Sequence, residues 1–308
     1  MEIVKFRAMN TEIILAAEGT LEKLQPGFEK TTRFIHESEQ KFTRFSSKSE
    51  LSQLNNAAGA WFHASPDLLE VILLARTYVE QTRGLFDPSI LEYLKQLGYD
   101  RSMELIRANA GAAFIYPGPS PRKHVPFDEI IINPEESLIS LPAGLSLDLG
   151  GIAKGWIAEQ AASLLSEYSP ACCVSAGGDM HMLGLPDGLP GWQVDLEDPR
   201  NPGEILANLK LPSGGLATSS ITKRTWKQGG KMRHHLIDPR SGEPAQTEWL
   251  SVTVIAAHTT QCEAFAKALL IAGPGEAPII AQNMQIAYLA VDHEGNILGT
   301  QNCLEYIL

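Results

Sequence analysis

Nowhere in the 308 residues does an unbroken apolar run reach the roughly 18 to 20 residues that a membrane-crossing helix needs, so no membrane insertion is expected. The first stretch, "MEIVKFRAMNTEIIL", lacks a basic head followed by an apolar run and a small-residue cleavage site, and does not read as a signal peptide. Cysteine is scarce: Cys172, Cys173, Cys262 and Cys303 stand without CxxC spacing or a His-rich neighbour. That leaves neither a zinc site nor a disulfide framework, and predicts reduced, buried thiols in a cytoplasmic protein. Positive charge is in deficit, with 25 Lys and Arg against 36 Asp and Glu and a formal net charge of -11. Such a field repels a phosphate backbone at long range, so a nucleic-acid partner is not expected and any bound anion must be gripped locally. No repeat stands out, and no like-charge block coincides with low hydrophobicity, so the chain reads as folded throughout apart from short loops.

What is present is a globular composition, 44% apolar and 20% charged, in a chain long enough to bury a sizeable core. Residues 3 to 17 alternate loosely and read as one strand, followed by an amphipathic helix carrying Phe28, Phe34, Ile35 and Phe42. "FSSKSELSQLN" breaks that pattern. Ser65 and Pro66 then supply an N-cap and a first helical residue ahead of Leu68, Leu69, Ile72, Ala75 and Val79, and Gly84 closes the helix. Residues 105 to 145, rich in Pro and Gly, hold short β-like runs such as "EIIIN" and "SLISLP". Further strands are expected at "CCVSA", "WQVDLE", "ANLKL", "SVTVIAA", "IAYLAV" and "NILGT", with a helix from about Thr260 to Ala272. Because strands and helices mix without a regular βαβ alternation, the expected class is α+β, with mainly antiparallel strands and packed helices.

One stretch stands out chemically. In "SLDLGGIAKGW", residues 146 to 156, Asp148 precedes a run of glycines that leads into a helix bearing Ile157, Ala161, Leu164, Leu165 and Tyr168 on one stripe. A helix N-terminus with glycines and a lysine suits an anion, although glycine there also serves a tight turn or close helix packing. The order is not that of a nucleotide-triphosphate loop, since Lys154 precedes Gly155 and Trp156 follows, and the GxGxxG dinucleotide fingerprint fails as well. Four other stretches place small, polar and acidic residues in what read as loops: "GLFDPS" (84 to 89), "SAGGD" (175 to 179), "LATSS" (216 to 220) and "HHLIDPRSG" (234 to 242).

Taken in order, "AMNT", "SELSQLN", "GLFDPS", "DLGGIAKG", "SAGGD", "LATSS", "HHLIDPRSG" and the helix "CEAFAKALL" resemble the flavin transferase family called ApbE, the FAD:protein FMN transferases. The resemblance spans nearly the whole chain. It implies an ApbE-like fold over residues 1–308, as one domain or as two subdomains flanking an FAD cleft. The implied reaction moves FMN from FAD to a Ser or Thr hydroxyl of an acceptor flavoprotein and releases AMP, with magnesium at the pyrophosphate. By position, Met9 and Phe45 would line the flavin or adenine, Leu85, Phe86 and Asp87 would contact the cofactor, and Asp148 and Lys154 would hold it at the glycine turn. The Gly177, Gly178, Asp179 turn would form another wall, and Thr218 and Ser219 would supply hydroxyls near the phosphates. His235 would be the base that deprotonates the acceptor, since neutral imidazole titrates near working pH.

This chain departs from the family pattern at Asn10 and Ser220, both glycine in relatives, and more consequentially at the metal site. There the resemblance implies that the Ala153 carbonyl, an aspartate and a threonine hold magnesium; the last two positions are Glu263 and Lys267 here. An ammonium has no lone pair and cannot be a ligand. Two readings of the pair follow. In one, Glu263 closes a capping box with Thr260 and Lys267 supports it at i, i+4; in the other, both project toward Ala153 and Lys267 supplies the positive charge in place of the ion. A non-catalytic FAD-binding relative, and a pyrophosphatase that splits FAD to AMP and FMN, are the alternative functions.

Overall fold

The computed structural model describes residues 1–108, 125–228 and 230–308, so the part of the Pro- and Gly-rich segment at 109–124 lies outside the described residues. The chain forms two compact units. One comprises Met1–Glu39, Ile152–Ser220 and Thr247–Leu308, the other Gln40–Gly151 and Ile221–Gln246.

The first unit is built on an antiparallel sheet whose strands lie in the order Glu2–Ala8, Thr11–Ala17, Cys172–Ala176, Asp179–Leu183, Gly214–Ser220, Trp249–Ala256, Ala287–Asp292 and Ile297–Gly299. The stretch read as one strand over 3 to 17 is therefore a hairpin. Its turn consists of Met9 and Asn10, both left-handed with φ of 53° and 57°, so the period-2 alternation runs on across a break that composition does not announce. Asn tolerates that conformation better than most side chains, which suits Asn10 to this turn. A second hairpin turns at Gly177 and Gly178, with φ of 66° and 97°.

The helices Ala153–Ser166 and Thr259–Met284 pack together and onto this sheet. They bury Trp156, Ile157, Ala161 and Leu165 from the first and Phe265, Leu269 and Leu270 from the second. Sheet residues Leu216 and Leu289 join Trp192, Leu209 and Leu211 of the Trp192–Glu197 and Ile205–Leu211 hairpin in a further apolar cluster. The helix Leu21–Phe42 buries Phe28 and Ile35 of its sequence stripe together with Leu24, and leaves Phe34 half-buried.

Among the described residues, Thr259–Met284 alone is long and apolar enough to cross a membrane, with a mean hydropathy of 1.3 over 18 residues. Its composition reflects burial within the unit, because 56% of that window is enclosed by the fold. The helical path also breaks at Gly273, where φ is 67° and ψ is -175°, leaving two segments that are each too short to span a bilayer. The sequence-based end at Ala272 marks this break.

In the second unit the three-stranded sheet Trp61–His63, Leu138–Ser140 and Ile131–Asn133 accompanies the helices Pro66–Gln81, Leu91–Gln96 and Met103–Ala108. Ser65 caps the first of these by accepting from the Leu68 N–H, with Pro66 at the first turn. "SELSQLN" is helical rather than irregular: Glu50–Asn56 forms a helix capped by the Ser49 side chain, burying Leu51 and Leu54. The strand Thr225–Gln228 joins the Leu91–Ala108 region through Trp226, whose indole N–H donates to the Leu97 carbonyl at 2.6 Å and whose ring packs beside Tyr99, Leu94 and Ile237.

Candidate functional site

Each unit gathers its own share of the sequence-predicted residues. In the first, the helix that follows the glycine turn starts at Ala153, which is itself buried. Gly155 has a specific packing reason. A Cβ there would sit 2.7 Å from the Thr259 carbonyl oxygen, so only glycine lets this helix lie so close to the start of the next one. That approach brings the Glu263 carboxylate within reach: Oε2 accepts from the Gly155 N–H at 2.8 Å, while Oε1 lies 3.0 Å from Lys154 Nζ and 3.2 Å from Lys267 Nζ. Lys154 also forms an ion pair with Asp179, and Asp179 Oδ1 accepts from the Thr218 N–H at 3.2 Å.

The result is a cluster of two ammoniums and two carboxylates, formally neutral, with Glu263 1% exposed and Asp179 4% exposed. Burial alone would raise the Glu263 carboxyl, but the charges of Lys154 and Lys267 and the Gly155 N–H bring it down to about 2. The capping-box expectation fails here. Glu263 turns toward Gly155 and the lysines, and the helix starts at Thr259, capped by the Glu159 carboxylate, which accepts from the Thr259 N–H at 3.1 Å and the Thr260 hydroxyl at 2.9 Å. The i, i+4 contact between Glu263 and Lys267 is present, and the Lys267 ammonium also donates to the Glu263 carbonyl at 3.2 Å.

"LATSS" is not a loop but an interior strand of the sheet. Neighbouring residues on a strand face opposite sides, so the Thr218 and Ser219 side chains leave the strand from opposite faces of the sheet. Thr218 Oγ1 lies 2.9 Å from Thr253 Oγ1, and Ser219 is buried. Gly178 holds a left-handed turn position with open space where a Cβ would stand. Met9, at the first hairpin turn, donates its N–H to Glu39 Oε1 at 2.6 Å.

In the second unit Asp148 is committed on both oxygens. Oδ1 accepts from the Gly150 N–H at 2.6 Å, and Oδ2 pairs with Arg44 Nε at 2.7 Å, with the Arg44 side chain only 5% exposed. Sequence reasoning missed Arg44. Its only signal was its place beside Phe45, because the pairing is long-range. The Arg44 guanidinium also stacks over the rings of Phe45, at 4.3 Å, and Tyr99, at 4.6 Å, and Phe45 keeps 40% of its surface exposed.

Leu85, Phe86 and Asp87 are all buried, and Asp87 Oδ1 accepts from the Ser89 N–H at 2.7 Å and the Ser89 hydroxyl at 2.6 Å, capping the short Pro88–Ile90 turn. Tyr93 links this loop to the "HHLIDPRSG" turn. Burial and the Asp87 charge raise its phenol, and a Cβ on Gly242 would meet its ring at 2.6 Å. Within that turn Asp238 pairs with Arg240 at 2.9 Å. Both histidines of this turn are half-buried. His234 Nε2 lies 3.1 Å from the Ala245 carbonyl, and burial holds its pKa below the usual value, as befits a structural imidazole; His235 is half-buried in the segment leading to Ile237.

The magnesium implied by the resemblance does not fit the residues present. Both oxygens of Glu263 are taken by N–H donors, Lys267 has no lone pair, and an entering divalent ion would meet two ammoniums. Among the described residues no group of three or more His, Cys, Asp and Glu is placed to hold a metal ion. The four cysteines are free thiols, three of them buried and Cys173 partly so.

Comparison with known proteins gives this geometry a context. A model of the ApbE family matches residues 9–290. The FAD:protein FMN transferase of Rhodobacter capsulatus is 32% identical over 257 residues, covering 82% of this chain and 48% of that protein. The FAD:protein FMN transferase of Treponema pallidum (strain Nichols) is 28% identical over 247 residues, covering 73% of this chain and 65% of that protein. The chain thus spans about half the length of the curated relatives it matches. The crystal structure of the ApbE protein from Thermotoga maritima shares the fold, with a TM-score of 0.84 at 23% identity over 99% of this chain and 98% of that one.

Proposed function

The chain belongs to the ApbE family, and from that premise we propose that it takes FAD as substrate, moves the FMN portion to a Ser or Thr hydroxyl of an acceptor flavoprotein and releases AMP. The observation that carries this reading is the reach of the family match, from Met9 in the first hairpin to residue 290. It takes in the glycine turn, the Lys154–Asp179 pair and the "HHLIDPRSG" turn alike. In this reaction the acceptor oxygen forms a bond to the FMN phosphorus as the pyrophosphate P–O bond breaks, and AMP departs with the bridging oxygen. Transfer of this kind asks for alignment and charge neutralisation more than for covalent work by the protein. The acceptor proton goes to His235, at the position the resemblance assigns to the base, and the neighbouring His234 lies 3.1 Å from the Ala245 carbonyl. Lys154, pinned by Asp179 and Glu263, presents its charge at a fixed point of the helix N-terminus rather than on a mobile stem.

The neutral cluster around Glu263 favours one alternative, a non-catalytic FAD-binding relative. Incubation with FAD and a candidate acceptor separates the two readings. Transfer releases AMP and leaves flavin fluorescence on the acceptor after denaturing electrophoresis, whereas a binder retains FAD intact. Absence of any FAD binding would overturn both.

A further inference from the structure

We infer that Lys267 is a built-in cation: its ammonium stands at the Glu263 carboxylate where the family places a divalent ion, so the Lys154–Asp179–Glu263–Lys267 cluster is complete without metal. The inference rests on the proposed use of FAD only for what the cluster faces, and on the contacts for the rest.

Those contacts leave a metal no place. Lys154 and Lys267 share Glu263 Oε1 at 3.0 and 3.2 Å, and Oε2 is held by the Gly155 N–H at 2.8 Å. Lys267 is further tethered by its contact with the Glu263 carbonyl at 3.2 Å, which folds the side chain back along its own helix. Charge is already balanced, two ammoniums against Asp179 and Glu263, in a site where the lysine side chains are 14% and 16% exposed. Repulsion between an entering divalent ion and two ammoniums is therefore little screened by water or salt. The nearest alternative, a metal held by displacing Lys267, would separate that ammonium from the Glu263 carboxylate at a point where the lysine side chain is only 16% exposed. A single fixed charge costs no ion binding step, but it stabilises charge developing on a phosphate less than a divalent ion does. Slow, metal-independent turnover follows.

The test is direct metal binding followed by electron paramagnetic resonance of Mn²⁺, on the wild type, on Lys267→Thr and on Glu263→Asp/Lys267→Thr, with circular dichroism to verify folding. The wild type is expected to leave the free Mn²⁺ signal undiminished, and the double variant to take up one ion per chain. Uptake by the wild type overturns the inference, and so does a folded double variant that binds none. Should the variants not fold, FAD affinity of the wild type in EDTA and in excess magnesium decides: equal dissociation constants support the inference, and a change of about tenfold or more overturns it. A wild type that binds no FAD refutes the proposed function while the Mn²⁺ arms still judge Lys267.

Discussion

Glu263 Oε1 lies 3.0 Å from Lys154 Nζ, joining the start of one core helix to the first turns of another at a point where both side chains have left water. A carboxylate so placed is held by its partners and holds them in turn. Removing its charge leaves Lys154 and Lys267 facing each other with Asp179 as the remaining counter-charge. Glu263→Gln is therefore expected to cost about 3 to 5 kcal/mol of stability, measurable by urea denaturation. A loss below about 1 kcal/mol would show that the cluster is more solvated than its burial indicates.

Acid should act on the fold in two stages of the same sign. His181 and His234 are held below their ordinary value of 6.5 chiefly by burial, so the unfolded chain takes up their protons first and stability falls as pH drops through about 6.5. Glu263, brought from 4.5 to about 2, contributes stability that is present above 4.5 and lost as pH falls from there toward 2. Thermal melts across this range should show both declines, and Glu263→Gln should shrink the second, leaving what other lowered carboxylates such as Asp198 and Asp292 contribute. An unchanged acid limb in that variant would assign it to other carboxylates.

The Arg44–Asp148 pair predicts coupled losses. Arg44→Ala and Asp148→Ala should each destabilise, and the double variant should cost less than the two together by about 0.5 to 3 kcal/mol, because each single change strands the other group. Flavin affinity measured on the same set shows whether Phe45, stacked on Arg44, moves with it. Strict additivity would mean that the ion pair is not formed in solution.

Gly155→Ala should push the Ala153–Ser166 helix away from the Thr259 carbonyl and lengthen the Gly155–Glu263 contact. The expected penalty is about 1 to 3 kcal/mol from overpacking, despite the better helix propensity of alanine. A stabilised variant would argue that the two helices are not so closely packed.

The histidines are expected to separate by assay. His235→Ala should leave FAD binding near wild type while lowering flavin transfer about 100-fold or more, as for a lost general base. His234→Ala should lower the melting temperature through loss of a half-buried, carbonyl-bonded ring, with a smaller effect on transfer in the folded fraction. Equal effects on both measurements would assign the two rings to folding of the turn.

Much of this protein could be read from local chemistry. The alternating and helical stripes, the Ser65–Pro66 start and the glycine turn before Ala153 each express a preference set within a few residues, and the order of the motifs carried the family resemblance. Tertiary structure decided the rest, because the deciding contacts join residues far apart in the chain. The turn at Met9 and Asn10 was hidden since alternation continued across it, and "LATSS" became an interior strand because neighbouring strands supplied its hydrogen bonds. Glu263 could have capped its own helix by sequence alone; it instead crosses to Gly155 and Lys154 because a glycine there lets two helices meet without an intervening side chain. Arg44 gave no sign of its link to Asp148, since the attraction between opposite charges depends on where folding brings them and not on their spacing in the sequence.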